Sequence, residues 1–415
     1  MKEINFTCVE RFLKYVQIDT QSDPESNTCP STDKQKDLGK ILVEELKQIG
    51  VKDAHMDENG YVYGTVESNS VKKVPVICFC SHMDTSPETS GANVKPVLHK
   101  NYQGGDIVLQ GDTAQVLKPS EHTHLKSVIG NDIITSDGTT LLGADDKAGV
   151  AEIMDAVNHF ITYPEIKHGA IKILFTPDEE IGRGVDKADL KKLAADFAYT
   201  MDGGALGLVE DETFSADSAV ITIHGVITHP GRAKDKMENA VKVASDIMAA
   251  LPKDSLSPET TEERQGFIHP VSINGGVETT VIKLIIRDYE DSGLVEKEAY
   301  LEDIIKKVLT HYPNSGYEYK TEESYRNMKK ILNSYPHVTQ YAFEAVRRTG
   351  AEPKSELVRG GTDGSRLSYM GLPCPNIFSG GEAIHSKKEW VSVQTMQKAV
   401  ETIIHLAMIW EEKSK

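Results

Sequence analysis

Cysteine is scarce in this chain. Five lie among 415 residues, at positions 8, 29, 78, 80 and 374, an odd number spread too widely for a disulfide framework, so reduced thiols are expected. Positive charge is in deficit as well. Lysine and arginine total 46 against 63 aspartates and glutamates, a formal net charge of -17, which argues against nucleic acid or an anionic membrane surface as a partner. Long apolar runs are missing: no stretch approaches the ~18 residues needed to span a bilayer. The opening MKEINFTCVERFLKYVQIDT mixes charged and apolar residues at helical spacing, without the apolar segment and cleavage site of a signal peptide, so a cytoplasmic location is expected. Repeats and low-complexity tracts are absent too. What is there, 39% hydrophobic and 26% charged residues, is ordinary globular composition with length enough for two or three domains.

Residues 77–86 read ICFCSHMDTS, and in an extended strand Cys78, Cys80, His82 and Asp84 would all point the same way. Thiolate, imidazole and carboxylate all bind zinc. The two cysteines, however, sit in the continuous apolar run VPVICFC of a buried strand, where cysteine packs as a small hydrophobe. His82 and Asp84 lie where that run stops. In open α/β sheets chemistry gathers outside the carboxyl ends of the strands.

Other strand ends carry similar residues. In TTLLGADDKAGVAEIMDAVNHF the helical spacing begins at Lys147, which puts Asp145 and Asp146 at a helix N-terminus. The strand in GAIKILFTPDEEIG ends at Pro177, with Asp178, Glu179 and Glu180 at its mouth, and FAYTMDGG ends at Asp202. Between these, 86–137 is a polar, turn-rich excursion of the kind that tends to be functional or lid-like. From 213 to 322 the rhythm changes to strand (218–227), helix (236–251), strands (267–273 and 279–288), helix (294–311) and strand (317–322). That βαββαβ order is the ferredoxin-like arrangement, and it reads as an insertion between 1–212 and 323–415.

Taken singly, each acid has a plainer reading, as a helix cap, a dipole-favoured acid or a turn residue, and His385 as a loop histidine. Their shared position at strand ends weighs against that. Three carboxylates meeting at one sheet edge repel unless cations or shifted pKa values relieve them. Two divalent ions with three carboxylates and two histidines leave a net charge of about +1, which one hydroxide cancels.

The strings SHMDTSP, GGDIVL, TLLGADDKAGVAEIM, FTPDEEIG, FAYTMDGG, HPGRAK, IIRDYE, RGGTDGS and MGLPCPNIFSGG, in this order along essentially the whole chain, resemble the M20 metallopeptidase family, and within it the tripeptide aminopeptidases. The resemblance implies an α/β fold: a two-zinc exopeptidase-like catalytic domain, with a mixed sheet flanked by helices, carrying the inserted ferredoxin-like α+β lid at 213–322. It also implies two Zn²⁺ per chain, for which Mn²⁺ or Co²⁺ can substitute. By position, His82 and Asp202 would bind one ion, Glu180 and His385 the other, and Asp145 both. Asp84 would orient the His82 imidazole.

Glu179 would be the general base for a metal-bridged hydroxide that attacks the peptide bond of a small peptide substrate. Adjacent residues cannot easily coordinate one ion equivalently, so one glutamate can hold metal while its neighbour faces water. In HPGRAK, His229 would reach the developing oxyanion. Arg359 would grip the substrate's C-terminal carboxylate, with Arg287 a second arginine for that role. A homodimer through the lid is the partner arrangement to be tested. The alternatives are another M20 amide hydrolase (dipeptidase, carboxypeptidase or aminoacylase), or a non-catalytic zinc- or peptide-binding module.

Overall fold

A computed structural model describes residues 5–415; the first four residues of the stretch read as helical lie outside the described residues. The chain divides into two compact units. The first takes the residues up to Asp211 together with Met328–Glu356 and Thr362–Lys415; the second takes Glu212–Asn327 and Leu357–Gly361.

In the first unit a seven-stranded sheet runs in the order His55–Met56, Val62–Val66, Ile171–Thr176, Ile77–His82, Phe197–Gly203, Asn376–Phe378, Val209–Glu210. Its four inner members from Ile171–Thr176 to Asn376–Phe378 are mutually parallel, and the flanking strands are antiparallel. All six residues of Ile77–His82 are buried, because both faces of the sheet are covered. On one side Ile77, Phe79, Ile171, Ile173 and Phe175 share a core with residues of the helices Cys8–Tyr15, Ala144–Thr162 and Val393–Lys413. On the other, Cys78 and Cys80 pack with Tyr61, Tyr63, Leu174, Leu367 and Cys374.

Asp155 ties the first helix to this core by accepting from Thr7 N at 2.8 Å, Thr7 Oγ1 at 2.6 Å and Cys8 N at 3.0 Å. That satisfies amides a helix start leaves unpaired. The excursion at 86–137 contributes Val97–His99 and Ile133–Thr135 to a small sheet ordered Gly381–Glu382, Trp390–Ser392, Ile133–Thr135, Val97–His99. It therefore braces the segment around His385.

The second unit is an antiparallel sheet in the order Phe267–Gly275, Thr279–Asp288, Ser215–His224, Gly316–Tyr325. Ala240–Ala250 and Asp291–Leu309 complete the βαββαβ order. Ile221, Ile223, Ile282, Leu284 and Ile286 alternate onto the face that packs against Val243, Ile247, Leu301 and Ile305 of those helices, as period-two and period-3.6 patterns require. The boundaries drawn at 213 and 322 lie inside this unit. Its last strand pairs with Ser215–His224 as far as Tyr325, and Thr213 forms a bridge with Val358 that draws 357–361 in as well. The helix expected from 236 starts at Ala240, where the Asn239 side chain accepts from Val241 N at 2.9 Å. No helix among the described residues is long and apolar enough to cross a membrane.

Candidate metal centre

Parallel strands that end together deliver side chains to one place. His82 is the last residue of Ile77–His82, Glu179 and Glu180 open the short turn after Ile171–Thr176, and Asp202 lies near the end of Phe197–Gly203. Asp145 stands at the start of Ala144–Thr162, where it and Asp146 depart from helical backbone and the peptide bond joining them is cis. A Cβ at position 149 would fall 2.0 Å from Met201 O. Glycine there lets the helix bearing Asp145 lie against the strand bearing Asp202.

The five residues expected to bind metal do come together. His82 Nε2 is 2.9 Å from Asp145 Oδ1 and 3.6 Å from Asp202 Oδ1. His385 Nε2 is 2.8 Å from Glu180 Oε2 and 3.3 Å from Asp145 Oδ2. Asp145 thus turns one oxygen to each histidine, which is the disposition of a carboxylate shared by two cations. Asp146 lies beside the same side chains: its Oδ2 accepts from Ser81 Oγ at 2.5 Å and His82 N at 3.3 Å, and with His82 and Asp202 it can place ligand atoms within 4.8 Å of one another. Buried Glu180 Oε1 and Asp146 Oδ1 have no hydrogen-bond partner among the described residues. Buried oxygens without partners, with imidazole nitrogens beside them, are what hard or borderline divalent cations satisfy. Among the described residues His82, Asp145 and Glu180 can place ligand atoms within 4.8 Å of one another, so these side chains fit a bound metal.

The electrostatics agree with that fit. Burial alone would raise Asp145, but the His385 and His82 imidazoles hold it below the usual carboxylate range. Burial and the Asp145 charge push Glu180 up to about 8, and burial takes Asp202 up to about 6. His385, which burial would lower, is carried to about 11 by Asp145 and Glu180. Glu179 rises well above the ordinary glutamate value through burial, with the Asp202, Asp363 and Glu180 charges adding to the rise. Without cations the cluster keeps protons in place of positive metal charge.

Asp84 meets the His82 imidazole with both of its groups: Nδ1 lies 3.1 Å from the Asp84 main-chain oxygen and 3.5 Å from its carboxylate. The fully buried carboxylate also accepts from Glu179 N at 3.0 Å and Glu180 N at 3.2 Å. Two acceptor oxygens on one side chain suit two consecutive amides.

Three further residues, none given a role by the sequence, surround these side chains. Glu88 Oε2 stands 3.2 Å from His385 Nδ1. Asp178, with φ of 60°, accepts from Ser31 N at 2.7 Å, Ser31 Oγ at 2.5 Å and Gln35 Nε2 at 2.7 Å, anchoring the turn that carries both glutamates. Asp363 accepts from Thr176 Oγ1 at 2.6 Å. Asp178 and Asp363 lie in the motifs FTPDEEIG and RGGTDGS, yet only their folded partners give them roles.

His229, Arg287 and Arg359 belong to the second unit. His229 is exposed, and its Nδ1 accepts from Gly231 N at 3.1 Å, which leaves the neutral ring's proton on Nε2. Arg359 donates to Glu263 O at 2.8 Å and Thr261 Oγ1 at 2.9 Å, and its guanidinium lies 5.2 Å from the Phe214 ring centroid. Arg287 Nη1 donates to Arg359 O at 2.8 Å. Arg287 therefore supports the Arg359 main chain.

The model of peptidase family M20/M25/M40 matches residues 136–409. A Peptidase T from Geobacillus thermodenitrificans is 49% identical over 406 residues, covering 98% of both chains. One from Listeria monocytogenes is 49% identical over 405 residues with the same coverage. Among solved structures, aminopeptidase PepT from Bacillus cereus superposes with a TM-score of 0.74 at 22% identity, over 97% of this chain and 98% of that one. A tripeptidase from Staphylococcus aureus gives 0.73 at 23%, over 98% of each. These last two speak to the fold. Family match, near-full-length identity and shared fold agree, and the chain belongs to peptidase family M20/M25/M40.

Proposed function

We propose that the chain is a zinc-dependent aminopeptidase that removes the N-terminal residue from tripeptides. The observation that carries this reading is Asp145, with one oxygen 2.9 Å from His82 and the other 3.3 Å from His385. Relatives named Peptidase T at 49% identity support the same activity, as do the names aminopeptidase and tripeptidase on the two structural neighbours.

In this reading His82 and Asp202 hold one ion, His385 and Glu180 the other, and Asp145 both. Bound there, two Zn²⁺ supply the positive charge that lowers the pKa of a water and polarises the scissile carbonyl; Mn²⁺ and Co²⁺ suit the same nitrogen and oxygen donors. Glu179 is the general base. Its amide is fixed by Asp84, and its side chain makes none of the cluster contacts among the described residues. A Glu179 oxygen accepts the proton of the attacking water as that water's oxygen bonds to the carbonyl carbon. The proton then passes to the departing amine nitrogen as the C–N bond breaks. From the second unit, the lid, His229 supplies an Nε2–H donor for the oxyanion. Arg359 supplies the cation for the substrate's C-terminal carboxylate, and such recognition of the peptide's end would favour one peptide length.

The test is to incubate zinc-loaded protein with di-, tri- and tetrapeptides and identify the products. Release of the N-terminal residue from tripeptides, abolished by chelation and restored by Zn²⁺, is expected. Turnover that survives exhaustive chelation, or release of the C-terminal residue, overturns the reading.

A further inference from the structure

Glu389 is used by neither the ligand set nor the proton transfer, yet it is only 1% exposed. Its Oε2 accepts from Leu142 N at 2.7 Å and Gly143 N at 2.7 Å, and its Oε1 accepts from Asp145 N at 2.9 Å. Gly143, at φ of +85°, bends the chain so that these amides converge just where the Ala144–Thr162 helix begins. Amides at a helix start have no partner within the helix, and buried ones are costly to leave unmade. A carboxylate also complements the positive end of the helix dipole, and hydrogen bonds to an ionised acceptor are the strong kind.

Glu389 itself is held on both sides. Its amide donates to Ser386 O at 3.2 Å, closing a tight turn back toward His385. The next residue, Trp390, begins the strand Trp390–Ser392 paired with Ile133–Thr135. One five-residue segment, 385–389, thus supplies an imidazole that faces Glu180 and Asp145 and a carboxylate that grips the Asp145 main chain.

We infer that Glu389 is a positioning residue: it fixes the backbone of Asp145, and through it the distance between the shared carboxylate and the imidazoles of His82 and His385. This rests on reading Asp145 as the shared ligand. A mere helix cap would support the fold without affecting metal affinity. A positioning group sets that affinity, because a shared carboxylate misplaced by a fraction of an ångström cannot serve both ions.

Glu389→Gln is the informative variant. Its amide keeps one acceptor oxygen but must turn an N–H₂ toward a backbone donor, losing at least one of the three bonds. In competition against a chromophoric chelator, the folded variant should bind Zn²⁺ about 10–100-fold more weakly at one or both sites. Its kcat for a tripeptide should fall while KM stays near wild type. Wild-type zinc affinity and kcat in folded Glu389→Gln overturn the inference. If that variant does not fold, Glu389→Asp, which keeps the charge but retracts it by one methylene, is read the same way. Hydrogen exchange on the metal-free wild-type protein gives a second measurement, with slow exchange expected at the Leu142, Gly143 and Asp145 amides and fast exchange overturning the inference. Asp145→Ala is the control: if it binds two Zn²⁺ normally, the assignment of the shared ligand fails. If it loses zinc while Glu389→Gln does not, only the role of Glu389 fails.

Discussion

Glu179 and Glu180 show how two identical side chains acquire different work. The Asp84 carboxylate fixes both amides, at 3.0 and 3.2 Å, and adjacent residues then send their side chains in different directions. Glu180 pairs with His385 at 2.8 Å; Glu179, near enough to feel the Asp202 and Glu180 charges, pairs with neither His82 nor His385 among the described residues. Replacing Glu179 with Ala should therefore leave zinc content near wild type while kcat falls about 10²–10⁴-fold, the usual worth of a positioned base; parallel zinc analysis and kinetics check it. Asp84→Asn keeps the shape but offers one acceptor oxygen to two donors. Its kcat should drop by about 10–100-fold, as for lost partners behind a metal ligand, with most zinc retained on dialysis. For Arg359, whose guanidinium is already engaged with Thr261 and Glu263, Ala should impair a free-acid tripeptide more than its C-terminal amide. Equal impairment of both would show that its contacts within the second unit are its whole role.

At the scale of the element, the strand Ile77–His82 divides its labour along its length. Cys78 and Cys80 are buried on the face shared with Tyr61, Leu174 and Cys374, while His82 emerges at the carboxyl end. Cys80→Ser puts a hydroxyl into that apolar layer and should cost about 1–3 kcal/mol of stability, read by denaturant unfolding. Zinc stoichiometry in the folded fraction should not change; zinc lost from a folded Cys80→Ser protein would make the thiol a ligand after all. The helix Ala144–Thr162 likewise does two things: its first turn carries Asp145, while Asp155, fully buried, receives the amides that start the first helix.

For the whole molecule, the proton balance of the centre sets a pH dependence. His385 is raised from 6.5 to about 11 and Glu180 from 4.5 to about 8, so both hold protons at neutral pH that metal must displace. For the metal-free protein, the raised His385 contributes stability that is full below about 6.5 and lost toward 11. The raised Glu180 adds a penalty that grows from 4.5 up to about 8. The Tm of the metal-free protein should therefore decline from pH 6 to pH 9. The increment in Tm on adding Zn²⁺ should grow over the same range, since the deprotonated forms are the ligands. Scanning calorimetry of both forms measures it, and an increment that shrinks with rising pH would contradict the assignment.

Much of this protein is legible in its sequence, because hydrophobic period and strand-end chemistry are local signals. The apolar run ending at His82, the period-3.6 spacing after Lys147 and the βαββαβ order of the second unit each follow from neighbours in the chain. The limits of that unit were less legible: residues 357–361 join it through Thr213 and Val358, a pairing no local pattern announces. So too with the supports of the centre, where Asp178 meets Ser31 and Gln35 and Glu389 meets the amides of 142–145. The sequence by itself offered the metal-binding candidates, His82, Asp145 or Asp146, Glu180 and Asp202 by their places at strand ends, and His385 only through the family resemblance. Only the tertiary structure decided how each is held. A buried carboxylate takes its role from the donors that surround it, and those donors come from distant segments of the chain, 95 residues away for Asp84 and 147 for Asp178.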